Sequence, residues 1–109
     1  MTQEIQSAEV LNLVDHVEYA QGAVVSKTLI EKIGGTLTLF AFDKGEGLSE
    51  HSSPFDALVQ VLDGEVEITI GGKSFKVVTG QIALMPAHAP HSLQSITRFK
   101  MLLTMIRSK

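Results

Sequence analysis

Short apolar runs alternate with turn signals along most of the chain. Glycines or Asp-Gly pairs punctuate the sequence at residues 34–35, 45–47, 63–64, 71–72 and 80. Between them lie runs rich in β-branched and other apolar residues, at positions 36–43, 57–62, 65–70, 74–78, 81–85 and 99–106. Segment 22–33 is expected to add one or two opening strands. Closely spaced strand and turn signals of this kind predict an all-β sandwich or barrel.

The runs differ in how many of their faces are apolar. Residues 65–70 (EVEITI) alternate strictly, which predicts a strand with one buried and one wet face. Residues 57–62 are apolar on both faces apart from Gln60, and residues 101–106 nearly so. A second sheet covers only one face of such strands. The other face is expected to meet either a partner subunit or the N-terminal segment folded back over it, and the pattern does not separate these two.

One helical pattern occurs, near the start of the chain. Four apolar residues follow an i, i+3, i+4, i+7 spacing after Ser7, a candidate N-cap: Val10, Leu13, Val14 and Val17. We therefore expect a short N-terminal helix packed outside the sheets.

Composition then bounds the classes of protein. A chain of 109 residues, 44% hydrophobic and 19% charged, fits one globular domain. We divide it into an extension (1–22) carrying the short helix and a β-barrel (23–107). The absence of cysteine excludes disulfides, thiolate metal sites and thiol nucleophiles. A net charge of -3 argues against a nucleic-acid partner. With no signal peptide and no apolar stretch of membrane-spanning length, we expect no membrane partner and a cytoplasmic location.

Histidines are the residues best suited to chemistry. His16 falls in the predicted helix and is expected to be an ordinary surface or partly packed side chain. The other three, His51, His88 and His91, lie at strand ends or in turns close to prolines. Rigid backbone of this kind can hold a side chain in place.

These histidines belong to two glycine-led segments with a characteristic spacing. In the first, a histidine follows a glycine after five residues, and a second glycine closes the segment. In the second, a proline follows a glycine after five residues, and a histidine comes shortly after it. The positions are Gly45, His51 and Gly64 in the first segment and Gly80, Pro86 and His91 in the second.

This spacing resembles the two motifs of the cupin superfamily, G-x5-H-x-H-x3,4-E-x6-G and G-x5-P-x-G-x2-H-x3-N. The sequence departs from the first motif at Ser53, which replaces the second histidine, and at Ala57, which replaces the glutamate. It departs from the second at His88, which replaces the glycine, and at Ser95, which replaces the asparagine. The resemblance covers residues 35–107 and implies a small single-domain cupin, a double-stranded β-helix or jelly-roll barrel.

The resemblance also implies a metal site, and here the sequence is incomplete. In metal-binding cupins two histidines and the glutamate of the first motif bind a divalent ion together with one histidine of the second. Only His51 and His91 remain, with His88 as a candidate third ligand. If these three residues bound Fe, Mn, Ni, Zn or Cu, the chain could be a dioxygenase, isomerase or decarboxylase.

The function favoured by the sequence is binding of a small molecule inside the barrel, without the full metal set and with no certain cofactor. Its predicted pocket combines a few polar groups with an apolar wall, formed by His51, Ser53, Ala57, Val59, His91, Leu93 and Met101. Methionines on a buried strand can also simply fill gaps in a core. A third reading is a dimer scaffold with a filled interior. Because small cupins pair and two strands are apolar on both faces, we expect a homodimer. The small-molecule and metal readings both depend on whether His51 and His91 converge on one hollow.

Overall fold

The protein was analysed as a computed structural model, which describes residues 9–107. That part of the chain contains one short 3-10 helix (Leu13–Asp15) and nine strands. The strands are β1 (Val24–Lys32), β2 (Gly35–Phe42), β3 (Gly47–His51), β4 (Phe55–Asp63), β5 (Glu65–Ile70), β6 (Lys73–Val78), β7 (Ile82–Met85), β8 (His91–Ser95) and β9 (Phe99–Arg107). The prediction of an all-β chain is confirmed.

Two antiparallel sheets form the barrel. The larger has the strand order β1-β2-β9-β4-β7 and the smaller the order β3-β8-β5-β6. Apolar side chains from both sheets meet between them in one buried cluster, formed by Phe42, Ala57, Val59, Val61, Val66, Ile68, Val77, Met85, Leu93, Phe99 and Met101. This is the double-stranded β-helix that the cupin resemblance implied.

The alternating strand behaves as its pattern requires. Val66 and Ile68 of β5 are fully buried, whereas Glu67 between them is exposed. The turn from β4 into β5 carries the chain from one sheet to the other at Gly64, whose φ is 90°. A Cβ at this position would collide with the carbonyl oxygen of Arg98. Glycine is therefore the residue that this crossing tolerates.

The outer face of the larger sheet is covered over one half by the N-terminal segment. Val17, Leu29, Leu39 and Ala41 form a second buried cluster there, with Leu13 and Tyr19 packed against it. The sequence did not decide whether a partner subunit or the N-terminal segment covers this face. On this half of the sheet, the N-terminal segment does. On the other half, Ile82, Leu84 and Ile106 remain about 60% exposed.

The predicted N-terminal helix is reduced to the single 3-10 turn. Val10 is 97% exposed and Val14 38%, while Val17 is fully buried. Asn12, at the N-cap of the turn, makes no side-chain capping bond, and Ser7 lies outside the described residues. Forming the first turn of a short helix is costly. Here Val17 buries its side chain against the sheet, and Leu13 partly buries its own, without a longer helix. No helix in the described part of the chain has the length and hydropathy needed to span a membrane.

Candidate functional site

Strand register brings His51 and His91 together. His51 is the last residue of β3 and His91 is the first residue of β8. The two strands pair antiparallel, and His51 lies opposite His91 in the ladder. The side chains meet with their ring centroids 4.3 Å apart and their planes at 69°. Two residues forty positions apart in sequence thus become direct neighbours.

The hydrogen bonds of the two rings fix their tautomers. The Nδ1 atom of His51 lies 2.8 Å from the carbonyl oxygen of Ser49, and that of His91 lies 3.2 Å from the carbonyl oxygen of Ala89. A carbonyl oxygen only accepts hydrogen bonds, so both Nδ1 atoms must be N–H donors. In neutral imidazoles this leaves both Nε2 atoms with a lone pair.

These two Nε2 atoms face each other at 3.1 Å. Two lone pairs at that distance repel unless an electrophile, either a proton or a cation, lies between or beside them. Burial lowers the pKa of His91, and the nearby His51 lowers it further, against the opposing effect of the Ala89 carbonyl. Burial therefore disfavours a proton on the His91 ring, and when both rings are neutral the site presents two nitrogen lone pairs.

The histidine pair lies at one end of a cavity between the sheets. Its volume is about 120 Å³. His91 is 5% exposed, whereas His51 is exposed and lies at the mouth. The remaining wall is mostly apolar, and the full lining is Leu48, His51, Ser53, Ala57, Met85, His91, Leu93, Met101, Leu103 and Met105. An apolar cavity of about 150 Å³ holds a benzene molecule, so this one accommodates a ligand of only a few heavy atoms.

Most residues of the predicted pocket line this cavity. They are His51, Ser53, Ala57, His91, Leu93 and Met101. Val59 is the exception, because its side chain is fully buried in the core cluster and is not part of the lining. Side chains two residues apart on a strand point to the same face, so Val59 was predicted to line the pocket together with Ala57. It does face the interior, but two residues further along β4, within the core cluster.

His88, the candidate third ligand, lies outside the cavity lining. Its side chain is exposed, and its backbone N–H donates to the carbonyl oxygen of Ser53 at 2.7 Å. Its φ of 70° is in the left-handed region, where the cupin motif has glycine. Of the neighbouring carboxylates, Glu50 is exposed, and Asp56 is exposed and accepts a hydrogen bond from the backbone N–H of Ala87.

Leu103 and Met105 alternate with Met101 on β9 and were expected on the same inward face, whereas sequence reasoning missed Leu48 and Met85 in the lining. Leu48 lies on β3, which has too few apolar residues to stand out as a strand. Met85 ends β7 and pairs directly with Ala57 of β4. Its position next to Pro86, within the second motif, was a signal that could have identified it.

The residues present do not fit the metal set that the cupin resemblance implies. At the two replaced positions, Ala57 supplies no donor atom, and the Ser53 hydroxyl lies 3.4 Å from the Phe55 carbonyl oxygen, a long hydrogen bond. Within residues 9–107 no group of three or more histidine, cysteine or acidic side chains could hold a metal ion. A divalent ion would have two imidazoles and no carboxylate, which is a poor ligand set for it.

Comparison with known proteins agrees with the fold. A family model described as "Cupin domain" matches residues 38–106. A conserved protein of unknown function from Streptococcus pyogenes is 38% identical, with a TM-score of 0.92 over 98% of this chain and 94% of that one. A cupin superfamily protein from Desulfitobacterium hafniense is 28% identical, with a TM-score of 0.90 over 97% of both chains.

A third similar structure is a cupin 2 conserved barrel domain protein from Leptotrichia buccalis. It is 44% identical, with a TM-score of 0.87 over 89% of this chain and 47% of that one. No curated protein matches the chain. The barrel topology, the two motif segments and the extent of the family match lead to one conclusion: the chain belongs to the cupin family.

Proposed function

We propose that this cupin binds a small weak acid in the cavity beside His51 and His91. The observation that carries the proposal is the pair of Nε2 lone pairs, held in place by the Nδ1 contacts to backbone carbonyls. A carboxylic acid would donate its proton to one Nε2 atom. The carboxylate would remain beside the new imidazolium as a charge-assisted hydrogen bond. The rest of the ligand would contact the apolar wall.

Cavity size limits the ligand class. Pockets for larger organic ligands generally have several hundred cubic ångströms, whereas this cavity has about 120 Å³. Acids with a short aliphatic chain therefore fit better than sugars or nucleotides. The apolar lining adds affinity for each methylene group that it removes from water, about 0.8 kcal/mol.

A titration series tests this proposal. Metal-free protein, kept in a chelator, is titrated with acetic, propionic, isobutyric and hexanoic acids and with the matching primary amides, and binding is followed by NMR of the histidine ring signals. We expect the three- and four-carbon acids to bind best and the amides to bind more weakly. His51→Ala should abolish binding, and His88→Ala, at an exposed residue outside the cavity, should not. Equal binding of acids and amides, or unchanged binding by His51→Ala, would contradict the proposal.

The metal-dependent enzyme, of dioxygenase, isomerase or decarboxylase type, is supported less well. Its motivation is again the His51 and His91 pair, but Ser53 and Ala57 withhold the remaining ligands. Elemental analysis of untagged protein separates the two functions. A stoichiometric divalent metal that is lost in both His51→Ala and His91→Ala would favour the enzyme and overturn the metal-free site.

We also propose that a second copy of the chain covers the exposed half of the larger sheet. Leu58 and Leu84 are partners in register on neighbouring strands, and Ile106 lies on the same face. An apolar patch that is the same on both copies suits a two-fold contact. Light scattering of the full chain is expected to give a dimer mass, and Leu84→Lys with Ile106→Lys a monomer mass. Val10→Lys, at a 97% exposed residue of the N-terminal segment, is the control. A monomeric native protein at micromolar concentration would exclude the dimer.

A further inference from the structure

The methionines of this protein are concentrated at one place. The sequence has four, and the first is residue 1, outside the described residues. The other three, Met85, Met101 and Met105, all line the cavity that contains His51 and His91. Gap-filling in a core would explain methionines anywhere among the buried strands. Their collection around one pair of histidines calls for a further explanation.

Register shows where two of these methionines lie. Ala57 lies on β4, an interior strand between β7 and β9. It pairs with Met85 on one side and with Met105 on the other. Side chains directly opposite in neighbouring strands have their Cβ atoms about 5 Å apart. Thus the position that bears a carboxylate in the cupin motif carries a methyl group here, flanked on both sides by thioethers.

The histidine geometry suits a single bound cation. At a metal–nitrogen distance of about 2.05 Å, two nitrogens 3.1 Å apart subtend an angle of about 100° at the ion. Both Nδ1 atoms face backbone carbonyl oxygens. Metal-binding histidines typically donate their second N–H in this way, which fixes the ring and directs the other nitrogen to the ion. The pair needs no change of tautomer to act as two ligands.

The donor set selects the kind of cation. Imidazole nitrogen and thioether sulfur are neutral, comparatively soft ligands, and thioethers favour Cu(I) over harder ions that prefer carboxylates. A monovalent ion also pays a smaller desolvation penalty than a divalent ion in a cavity that has no anionic ligand. We propose that His51, His91, Met85 and Met105 form a binding site for a soft monovalent cation, with Cu(I) as the biological candidate.

This inference does not depend on the weak-acid proposal and is tested with the metal alone. Full-length protein is titrated anaerobically with Cu(I) against a chromophoric chelator, and with Ag(I) as an analogue that does not change oxidation state. We expect one Cu(I) per chain, with sulfur scatterers beside nitrogen scatterers in the X-ray absorption spectrum. Zn²⁺ should bind much more weakly, since it gains little from thioethers.

Methionine variants give the sharpest comparison. Met85→Leu combined with Met105→Leu keeps the volume of the wall and removes both sulfurs. It is expected to lower Cu(I) affinity by about tenfold or more and to leave Zn²⁺ affinity unchanged. His88→Ala is the control, at an exposed residue outside the cavity lining. It should leave Cu(I) affinity within about twofold of that of the native protein.

The histidines are tested by His51→Ala, at an exposed residue where a loss of folding is not expected. This variant should lose Cu(I) binding, while thermal melting of the metal-free protein confirms that it folds. The proposal is overturned if the native protein binds no Cu(I), if His51→Ala binds it equally well, or if His88→Ala and the double methionine variant weaken binding to the same extent. Binding of acids with no binding of Cu(I) would remove this inference and leave the proposed function intact. The reverse result would remove only the proposed function.

Discussion

The two ends of the barrel differ in packing and in chemistry. At one end, which we call the closed end, the rings of Phe42 and Phe99 stack with centroids 4.4 Å apart and an interplanar angle of 9°. Both side chains are fully buried. At the other end, the open end, the same two sheets enclose the cavity bordered by His51 and His91. Interior volume is filled by aromatic rings at the closed end and left partly empty at the open end.

The two ends also differ in whether their polar groups are paired in hydrogen bonds. At the closed end, the Asp43 carboxylate accepts from the Nε of Arg98 at 2.8 Å and from the backbone N–H groups of Gly22 and Lys44. The Ser95 hydroxyl donates to the carbonyl oxygen of Asp43 at 3.0 Å. These bonds tie the loop after β2 to the smaller sheet. At the open end, the histidine pair brings together two acceptors that lack a donor between them.

Tyr19 extends the closed end to the N-terminal cover. Its hydroxyl donates to the Asp63 carboxylate, and its ring lies about 5 Å from both the Arg98 guanidinium and the Lys100 ammonium. Burial, followed by the contact with Asp63, raises the pKa of the Tyr19 hydroxyl well above its usual value. The comparison teaches that closed-end contacts stabilise the barrel, so the open end can keep an unfilled space beside two histidines.

The largest expected effect is on packing at the closed end. Phe42→Ala removes a fully buried ring that stacks on another, and we expect it to lower the free energy of unfolding by about 3–5 kcal/mol. Phe75→Ala is the matched control, since Phe75 is 46% exposed on β6, and it should cost under about 1.5 kcal/mol. Urea denaturation measures both. Equal losses would mean that the closed end does not contribute more than its surroundings.

The next effect concerns acid stability. Hydrogen bonds from Arg98, Gly22 and Lys44, with that from Arg98 the largest contribution, lower the pKa of Asp43 to about 2 from its ordinary value of 3.8. A carboxyl whose pKa is depressed by folding stabilises the protein above pH 4, and this contribution is lost as the pH falls from about 4 to about 2.

Asp43→Asn tests this contribution. The variant should be less stable than the native protein at pH 7, and the difference between the two should shrink as the pH is lowered from 4 to 2. Denaturation midpoints measured across that range give the result. Asp56→Asn, at an exposed carboxylate near the open end, is the control. A native–variant difference that stays constant with pH would contradict the assigned cause.

A smaller effect is expected from the histidine pair on stability. His51 is exposed, and its Nε2 atom meets that of His91 with no donor between them when both rings are neutral. His51→Ala should therefore change the free energy of unfolding by no more than about 1 kcal/mol, even though it removes the site. Thermal unfolding of metal-free protein provides the measurement. A loss as large as that of Phe42→Ala would show that the open end also holds the barrel together.

The smallest effect is a gain. His88 has a φ of 70°, a left-handed conformation that costs a residue with a Cβ about 1–2 kcal/mol and glycine almost nothing. Replacing His88 by glycine removes this cost, but the greater conformational freedom of glycine in the unfolded chain offsets part of the stabilisation. His88→Gly is expected to raise the free energy of unfolding by about 0.5–1 kcal/mol. His88→Ala keeps the Cβ and should give no gain. Calorimetric melting that ranks alanine at or above glycine would contradict the strain at this position.

Periodicity and turn signals identified the strands with strong apolar patterns. Residues 65–70 were predicted as a strand and form β5 with the same bounds. The predicted run 99–106 corresponds to β9, one residue longer. The two strands that hold the histidines were not predicted, because β3 (GLSEH) and β8 (HSLQS) each contain a single leucine among polar residues. Their pairing depends on partners elsewhere in the sheet.

The sequence alone determined that this chain is a β-barrel of the cupin kind and that its metal motif has only two of four ligands, since both follow from residue types at fixed spacings. Only the tertiary structure decided that His51 and His91 meet through Nε2 while His88 stays outside, and that Met85 and Met105 flank Ala57. These facts depend on the register between strands distant in sequence and on which backbone carbonyls lie beside each ring. Both are set when the sheets pair, and neither is encoded in the spacing along the chain.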